Sequence, residues 1–377
     1  MGSETVISRP AISMSAPDID ETDVEAVAEV LRSGRLALGP RAEEFEQRIA
    51  GYAGVPHAVA VSSGTAALHL ILKGLGCGPG DEVLVPSFTF AASVNAILYV
   101  GASPVFADIE PEQYTLDPED TARRVTGRTR AIMAVDVFGH PVEWDALSAS
   151  AERHGLTLID DSCEALGAEY RGRRIGGFGA AAAFAFYPNK QMTTGEGGVI
   201  VTGDGRLAGL VKSLRNQGRA AEGSAWLEHL LLGYNYRMDE LSAALGISQL
   251  KRIEAFLMRR ERVAARYSAL LRGFDWLDTP MVRPHVRMSW FVYVVRLAEG
   301  VDRDRVVRAM EAQGVPARAY FPPMHLQPYV RERLGTGPGM LPVTEALARR
   351  TLALPFHNHL SEAEIERVVE CLEGAVG

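Results

Sequence analysis

The sequence contains few cysteines and no long apolar run. Its three cysteines, Cys77, Cys163 and Cys371, are scattered and lack the spacing of a metal site, which is typical of a chain from a reducing compartment. Its apolar runs are far shorter than the roughly 20 residues that a membrane-spanning helix needs. The N-terminus has no charged segment followed by an apolar one, so export is not expected. These absences predict a cytoplasmic protein with no membrane partner and no bound metal.

The sequence also lacks a block of positive charge. Its formal net charge is −8 and no cluster of lysine and arginine marks a polybasic tail, so a nucleic-acid partner is not expected. A chain of 377 residues, 47% of them apolar, is too long for one small core. Its length predicts one large domain with a smaller one attached.

Short apolar segments alternate with helical patterns through the first two-thirds of the chain. Strands that are apolar throughout and separated by helices form parallel sheets that are covered on both faces. The pattern therefore predicts an α/β fold with a mostly parallel, seven-stranded sheet. The predicted strands are 58–61, 82–85, 104–107, 131–137, 157–159, 182–186 and 199–201. The predicted helices are 19–31, 42–52, 66–74, 91–99, 144–154 and 205–215.

The pattern changes after residue 238. It predicts one long helix over 240–271, a strand over 290–297, a helix over 303–313, a strand over 317–321 and a terminal helix over 362–372. This order of elements is that of an α+β domain. The sequence therefore predicts a large domain over residues 1–250 and a smaller C-terminal domain over residues 251–377.

Lysine is scarce, and one of the four lysines stands in an unusual place. Lys73, Lys212 and Lys251 lie in predicted helices, whereas Lys190 follows an apolar strand and a Pro-Asn turn. A primary amine can attack a carbonyl to form an imine, which a guanidinium does not do. Lys190 is therefore a candidate Schiff-base lysine. A lysine on a surface loop explains the residue alone equally well.

Two further segments carry candidate binding groups. Ser63 and Gly64 join a predicted strand to a helix, where free N–H groups and the helix dipole can hold a phosphate. Asp160 and Asp161 end another predicted strand, and ligands of open α/β sheets bind at that edge. A protonated pyridine nitrogen would be a suitable partner for such a buried carboxylate. A capped helix and a helix N-cap remain the simpler explanations of the two segments.

A phosphate site, a carboxylate and a lysine are the three binding groups that pyridoxal 5′-phosphate requires. In these features the chain resembles the DegT-type family of sugar aminotransferases, which are fold type I enzymes that use this cofactor. The resemblance covers nearly the whole chain. It rests on the segments SGRLALGPRAEEFE, VAVSSGTAALHL, GPGDEVLVPSFTFAASVNAILYVGASPVFAD, DDSCEALG, FYPNKQMTTGEGG, GYNYRMDELSAALGISQL and YFPPMH.

The resemblance implies a role for particular residues. Lys190 would form the Schiff base and move a proton, Asp161 would pair with the pyridine nitrogen, and Glu164 would lie near the phenolic oxygen of the ring. The other implied cofactor contacts are a phosphate site at Gly64 and Thr65, ring stacking by Phe90, and a phosphate contact from Asn235 of a neighbouring subunit. Core packing explains Phe90 nearly as well. The last contact implies a homodimer with shared active sites.

The resemblance is less specific for the substrate. His325, Tyr320 and Arg237 are candidate substrate residues, although a structural role explains His325 equally well and packing explains Tyr320. The chain also departs from the family at two positions. Ala185 replaces a serine that often contacts the phosphate, and Asp136 stands where the family often has histidine.

The implied activity is the transfer of an amino group from glutamate or glutamine to a nucleotide-linked keto-deoxysugar, with pyridoxamine 5′-phosphate as the intermediate form of the cofactor. The segment YPNKQMTTGEGG favours C4 of a 4-keto-6-deoxyhexose, in an antibiotic or polysaccharide pathway. Amination at C3 and aminocyclitol formation remain alternatives. A pyridoxamine-dependent sugar dehydratase is disfavoured because such relatives have histidine in place of Lys190. A non-catalytic regulator that keeps the fold would not need the phosphate site, the carboxylate and the lysine together.

Overall fold

The computed structural model describes residues 12–219 and 228–377, and a seven-stranded sheet lies at its centre. In spatial order its strands are β1 (His57–Val61), β9 (Gly198–Thr202), β8 (Ala181–Ala185), β5 (Thr157–Asp161), β4 (Thr129–Val135), β2 (Glu82–Pro86) and β3 (Ser103–Ala107). β9 is antiparallel to both of its neighbours, and the other pairings are parallel. The prediction of a mostly parallel, seven-stranded sheet is confirmed.

Helices cover both faces of this sheet. They are α1 (Glu21–Ser33), α2 (Pro40–Ala53), α3 (Gly64–Gly74), α4 (Ala91–Tyr99), α5 (Pro118–Arg123), α6 (Trp144–His154), α7 (Gly205–Arg215) and α8 (Glu240–Lys251). Alternate residues of β1 enter two different apolar clusters, with Ala58 and Ala60 in one and Val59 and Val61 in the other. Because successive strand residues point to opposite faces, each cluster is the core of one face.

A second, smaller sheet follows α9 (Ile253–Leu271). It consists of β10 (Leu277–Asp278), β12 (Tyr293–Leu297) and β13 (Thr351–Leu354), all antiparallel, and helices α10 (Arg303–Ala312) and α13 (Glu362–Val376) accompany it. The remaining elements are β6 (Glu169–Tyr170), β7 (Arg173–Arg174), β11 (Val286–Arg287), α11 (Pro328–Leu334) and α12 (Pro342–Ala348), with 3-10 turns at Val137–Gly139 and Met324–Leu326. The domain boundary at residue 250 stays a prediction.

Two of the predicted elements are wrong in detail. The helix predicted over 240–271 is interrupted at Arg252, whose backbone has φ −107° and ψ 2°. Its guanidinium binds the carboxylates of Asp20 and Asp23 near the start of α1. The break in the helix therefore coincides with ion pairs between segments that are far apart in the sequence. The strand predicted over 317–321 is a single bridge between Arg318 and Ala353, and the strand beside it is the unpredicted β13.

Local sequence explains where the first and last helices begin. The carboxylate of Asp20 accepts from the backbone N–H of Thr22 at 2.9 Å, and Ser361 and Glu364 form a reciprocal capping box at the start of α13. α1 ends at Gly34, which has φ 68°. Glycine adopts this left-handed conformation without the penalty that a Cβ would bring. In the described ranges, no helix is both long and apolar enough to cross a membrane.

Candidate active site

A cavity of about 760 Å³ lies at the carboxyl edge of the sheet. Its lining comes from the segments that follow β1, β2, β4, β5 and β8, and from the loop between Ala319 and Met324 on the other side. The carboxyl ends of parallel strands meet at one edge, so these segments converge although they are distant in sequence. The cavity brings together the predicted residues Gly64, Thr65, Phe90, Asp161, Glu164, Lys190 and Tyr320.

The segment after β1 forms an open backbone cradle. The Ser63 hydroxyl accepts from the N–H of Ala66 at 3.1 Å, so it caps α3, while the N–H groups of Gly64 and Thr65 precede the first helical hydrogen bond. A Cβ added at Gly64 would lie 2.7 Å from the Cβ of Ala185 and 2.8 Å from the Sγ of Cys163. Only glycine fits, and the cradle has the form that a phosphate group needs.

Ala185 ends β8 beside this cradle, as its approach to Gly64 shows. A serine at this position would present a hydroxyl to the same space, and alanine presents a methyl group. Asn189, which also lines the cavity, has a buried side-chain oxygen with no hydrogen-bond partner among the described residues. Its amide group is therefore available to a ligand in the cavity.

Asp161 ends β5 and lines the floor of the cavity. Its side chain accepts from the Ser93 hydroxyl at 2.7 Å and from the backbone N–H of Cys163 at 3.3 Å. These neutral donors fix the carboxylate and do not neutralise it. A carboxylate has about four acceptor positions, so with two occupied there is still room for a positively charged ring nitrogen. The donor set fits the pyridine group of pyridoxal phosphate.

Lys190 reaches the cavity from the loop after β8. Its Nζ lies 3.5 Å from Oε1 of Glu164 and 3.9 Å from the centroid of the Phe291 ring. The other oxygen of Glu164 accepts from the backbone N–H of Phe138 at 2.9 Å. Burial raises the pKa of Glu164, against the opposing effects of Lys190 and of this N–H. The amine is held between an acid and an aromatic face, and its side chain is 13% exposed.

Two aromatic side chains form part of the wall. Phe90 precedes α4, lines the cavity and is 64% exposed, so it does not pack in the core. Tyr320 stacks on Phe321 with ring centroids 4.9 Å apart, and Phe138 stacks on Phe321 at 5.4 Å. The wall opposite the sheet is therefore a stack of aromatic rings, and the face of Phe90 is free for a planar ligand.

Three predicted residues do not line the cavity of this chain. His325 is fully buried, where its Nδ1 lies 2.7 Å from the Ser87 hydroxyl and its Nε2 lies 3.1 Å from Glu345. Arg237 donates to the side chain of Asn216 at 2.9 Å. Asn235 is exposed, with its backbone bridged to Asn216. His325 therefore connects the loop under Tyr320 to the end of β2, and it is not part of the cavity lining.

The cavity also contains residues that the sequence did not single out. Glu196 and Tyr187 line it and are exposed, and Gln327 and Tyr329 line its side near α11. Tyr329 donates to Asn95 of α4 at 2.6 Å. Tyr187 and Glu196 could have been found, since they lie three and six residues from Lys190, respectively, in the quoted segment. Nothing in the local sequence marks Gln327 or Tyr329.

A pair of buried acids lies behind Asp161. The hydroxyl of Ser162 donates to Asp136 at 3.0 Å and also binds Asp160, and both aspartates are fully buried. The N–H of Val142 donates to Asp136 at 2.8 Å. Burial raises the pKa of Asp136 to about 7 and raises that of Asp160 well above its usual range. Asp136, which departs from the family, thus belongs to an acid pair that retains a proton.

This pair makes stability depend on pH. The pKa of Asp136 is about 7 in the folded protein and near 3.8 when unfolded, so the folded state holds a proton that the unfolded state has released between these values. The free energy of unfolding therefore falls as pH rises from about 4 to about 7. We expect Asp136→Asn to flatten this slope in melting temperatures measured across that range. Asp145→Asn, at an exposed site, is the control, and equal slopes for Asp136→Asn and the wild type would contradict the assignment.

Comparison with known proteins gives the family. The model of the DegT/DnrJ/EryC1/StrS aminotransferase family matches residues 17–373. The chain is 40% identical over 371 residues to "GDP-perosamine synthase" from Caulobacter vibrioides, covering 97% of this chain and 98% of that protein. It is 41% identical over 356 residues to "dTDP-3-amino-3,4,6-trideoxy-alpha-D-glucose transaminase" from Streptomyces venezuelae, covering 93% and 91%.

Solved structures agree with the sequence comparison. DesV from S. venezuelae superposes with a TM-score of 0.91 at 38% identity, covering 97% of this chain and 99% of that one. Spr1654 from Streptococcus pneumoniae, in its pyridoxal phosphate form, superposes with a TM-score of 0.92 at 28% identity, covering 97% and 99%. The chain belongs to the DegT/DnrJ/EryC1/StrS family of nucleotide-sugar aminotransferases, and it is a fold type I transaminase that uses pyridoxal 5′-phosphate.

Proposed function

We propose that this enzyme moves an amino group from glutamate or glutamine to C4 of a nucleotide-linked 4-keto-6-deoxyhexose. The observation that carries the proposal is the amine of Lys190, which lies beside Glu164 in a large cavity that Asp161 also lines. The C4 position is supported by the identity to GDP-perosamine synthase. The similarity to the 3-amino-sugar transaminase of S. venezuelae supports C3 as the alternative.

The residues of the cavity have separable tasks in this proposal. Bound pyridoxal phosphate supplies an electron sink for the carbon that exchanges its amino group. The N–H groups of Gly64 and Thr65 would bind the phosphate, the ring of Phe90 would stack on the pyridine ring, and Asp161 would keep the ring nitrogen protonated. Glu164 would lie near the phenolic oxygen. These roles are supported by the presence of all five residues in the cavity lining.

Lys190 acts as the base and acid of the exchange. Its Nζ accepts a proton from the α-carbon of the amino donor and later delivers one to the sugar carbon that receives nitrogen. An amine is suited to both steps because its nitrogen can accept a proton and release it again, which a guanidinium does not do. The acid Glu164, 3.5 Å away, and the Phe291 face keep this amine in the cavity.

The charges of the cavity support the proposal that a second copy of the chain completes the site. Among the described lining residues, Asp161, Glu164 and Glu196 are acids and Lys190 is the one cation. A cofactor phosphate and a nucleotide diphosphate would add further negative charge, so we infer that donors come from a partner subunit. Asn235 is exposed and does not line the cavity of its own chain. Leu230 and Leu232 on the same segment are 62% and 84% exposed, as a protein interface requires.

A mixed-subunit experiment tests the shared site. Lys190→Ala and Asn235→Ala are each expected to lower the activity of their homodimers, and reassembly of a mixture is expected to restore part of it. If Asn235 serves the neighbouring site, each mixed dimer has one intact site and one site with both defects. If Asn235 serves its own site, the mixture stays no more active than Asn235→Ala alone, and the proposal fails. Sedimentation of each sample gives the oligomeric state.

The substrate is tested by product analysis. The holoenzyme is incubated with dTDP-, UDP- or GDP-linked 4-keto-6-deoxyhexose and with the matching 3-keto sugar, each with glutamate or glutamine. NMR of the product then gives the position of the new amine. Amination at C4 supports the proposal, whereas amination confined to C3 replaces it with the alternative. Loss of a hydroxyl without gain of nitrogen would indicate a dehydratase, and no turnover in the presence of bound cofactor would favour a non-catalytic protein.

A further inference from the structure

One buried cation lies directly behind the active-site lysine. Arg260 of α9 is 2% exposed, and its guanidinium donates to three backbone carbonyls. These are the carbonyls of Lys190 at 2.9 Å, Trp290 at 3.0 Å and Phe291 at 3.2 Å. Its Nε has no partner within residues 12–219 and 228–377.

The acceptors of Arg260 belong to the two loops that hold the amine. One loop carries Lys190, and the other carries Phe291, whose ring centroid lies 3.9 Å from the Nζ of Lys190. A planar guanidinium presents its donors in fixed directions, so it ties the backbones of both loops to one rigid body. The distance between the amine and the ring is therefore set from behind the cavity by a side chain of α9.

The electrostatics make a purely space-filling role costly. Burying a guanidinium without an acid partner is unfavourable, and an apolar side chain of similar volume would fill the site without this cost. Among the described residues, the acid whose charge acts on Arg260 is Asp18, and its carboxylate is paired with Arg252 and Arg259 instead. What Arg260 contributes in return is a set of three hydrogen bonds, all directed at the loops of Lys190 and Phe291.

We propose that Arg260 is a positioning residue for the reaction: it holds Lys190 and Phe291 together so that the amine lies over the aromatic ring and beside Glu164. Gln191 supports the same arrangement from the side, because its amide donates to the carbonyl of Glu164 at 2.5 Å and to Ser289 at 2.9 Å. Arg260 does not line the cavity, so it acts on the reaction through the positions of Lys190 and Phe291, which do. The inference uses the family activity and does not depend on which sugar carbon is aminated.

The test compares two substitutions of Arg260 with a control on the same helix. Arg260→Met removes the three hydrogen bonds, and Arg260→Lys keeps the positive charge but loses the planar arrangement of donors. Tyr267→Phe removes a buried hydrogen bond to the Pro355 carbonyl, 2.9 Å long, at a site outside the cavity. Misplacing a catalytic group by about 1 Å can cost about 100-fold in rate. We expect Arg260→Met to lower kcat by about this factor, with KM changed less than about threefold, and Arg260→Lys to fall in between.

A second measurement does not depend on turnover. We expect the apoenzyme of the Arg260 variants to capture pyridoxal phosphate covalently at Lys190 more slowly, in parallel with the fall in kcat. The capture is followed by stopped-flow absorbance and by mass spectrometry after reduction. Tyr267→Phe is expected to lower the melting temperature but to leave both rates unchanged. If Arg260→Met does not fold, Arg260→Lys carries the same test. The proposal is wrong if the folded Arg260 variants match Tyr267→Phe in kcat and in capture rate.

Discussion

Replacement of Lys190 by arginine is expected to lower kcat by at least about 1,000-fold while the protein stays folded and still binds its cofactor. A guanidinium keeps its proton throughout the accessible pH range, so it can neither attack a carbonyl nor move a proton from carbon. Charge and length are nearly conserved, and the neighbouring Glu164 keeps a cationic partner. The loss therefore isolates the chemistry of the amine from its electrostatic role.

Two measurements define the result for Lys190→Arg. Single-turnover release of the keto acid from the donor reports the first half of the reaction, and equilibrium dialysis reports cofactor binding through the cradle at Gly64 and Thr65. Lys73→Arg is the matched control because Lys73 lies exposed on α3, away from the cavity. An arginine variant that turns over within about tenfold of the wild type would show that another group performs the proton transfer.

Two of the predicted residues that line the cavity, Lys190 and Gly64, have properties that no other residue type supplies. An imine requires an amine, and the open cradle requires a residue without a Cβ, so Lys190 and Gly64 stand out from their neighbours without any structural information. The strands were predictable for a related reason. Burial on both faces of the central sheet makes them apolar throughout, as Ala181–Ala185 shows.

The features that the sequence did not reveal depend on contacts between distant segments. His325 is bound to Ser87, which is 238 positions earlier, and no local pattern distinguishes this buried histidine from one that lines a cleft. The break at Arg252 coincides with ion pairs to Asp20 and Asp23 of α1. The carbonyl acceptors of Arg260 also belong to distant segments, so nothing in the sequence around Arg260 indicates them.

Conversion of Asp161 to asparagine is expected to lower kcat by about 100- to 4,000-fold. Removing one member of a buried ion pair costs about 3–5 kcal/mol, and about 1.4 kcal/mol corresponds to a factor of ten in rate. Asparagine has nearly the same shape and can still accept from the hydroxyl of Ser93, so the cavity is preserved. What is lost is the negative charge that favours a protonated ring nitrogen, and with it the power of the ring to withdraw electrons.

The pH dependence separates this effect from a structural one. Without the carboxylate at residue 161, the ring nitrogen is expected to lose its proton at a lower pH, so the activity of Asp161→Asn should decline as pH rises across a range in which the wild type is constant. Asp120→Asn is the matched control, because Asp120 is a buried aspartate that binds Arg124 and the N–H of Asp108 outside the cavity. It should lower the melting temperature and leave kcat unchanged. An Asp161→Asn enzyme with wild-type kcat and an unaltered pH profile would show that the ring works without its proton, and the acid at the end of β5 would then be needed only for folding.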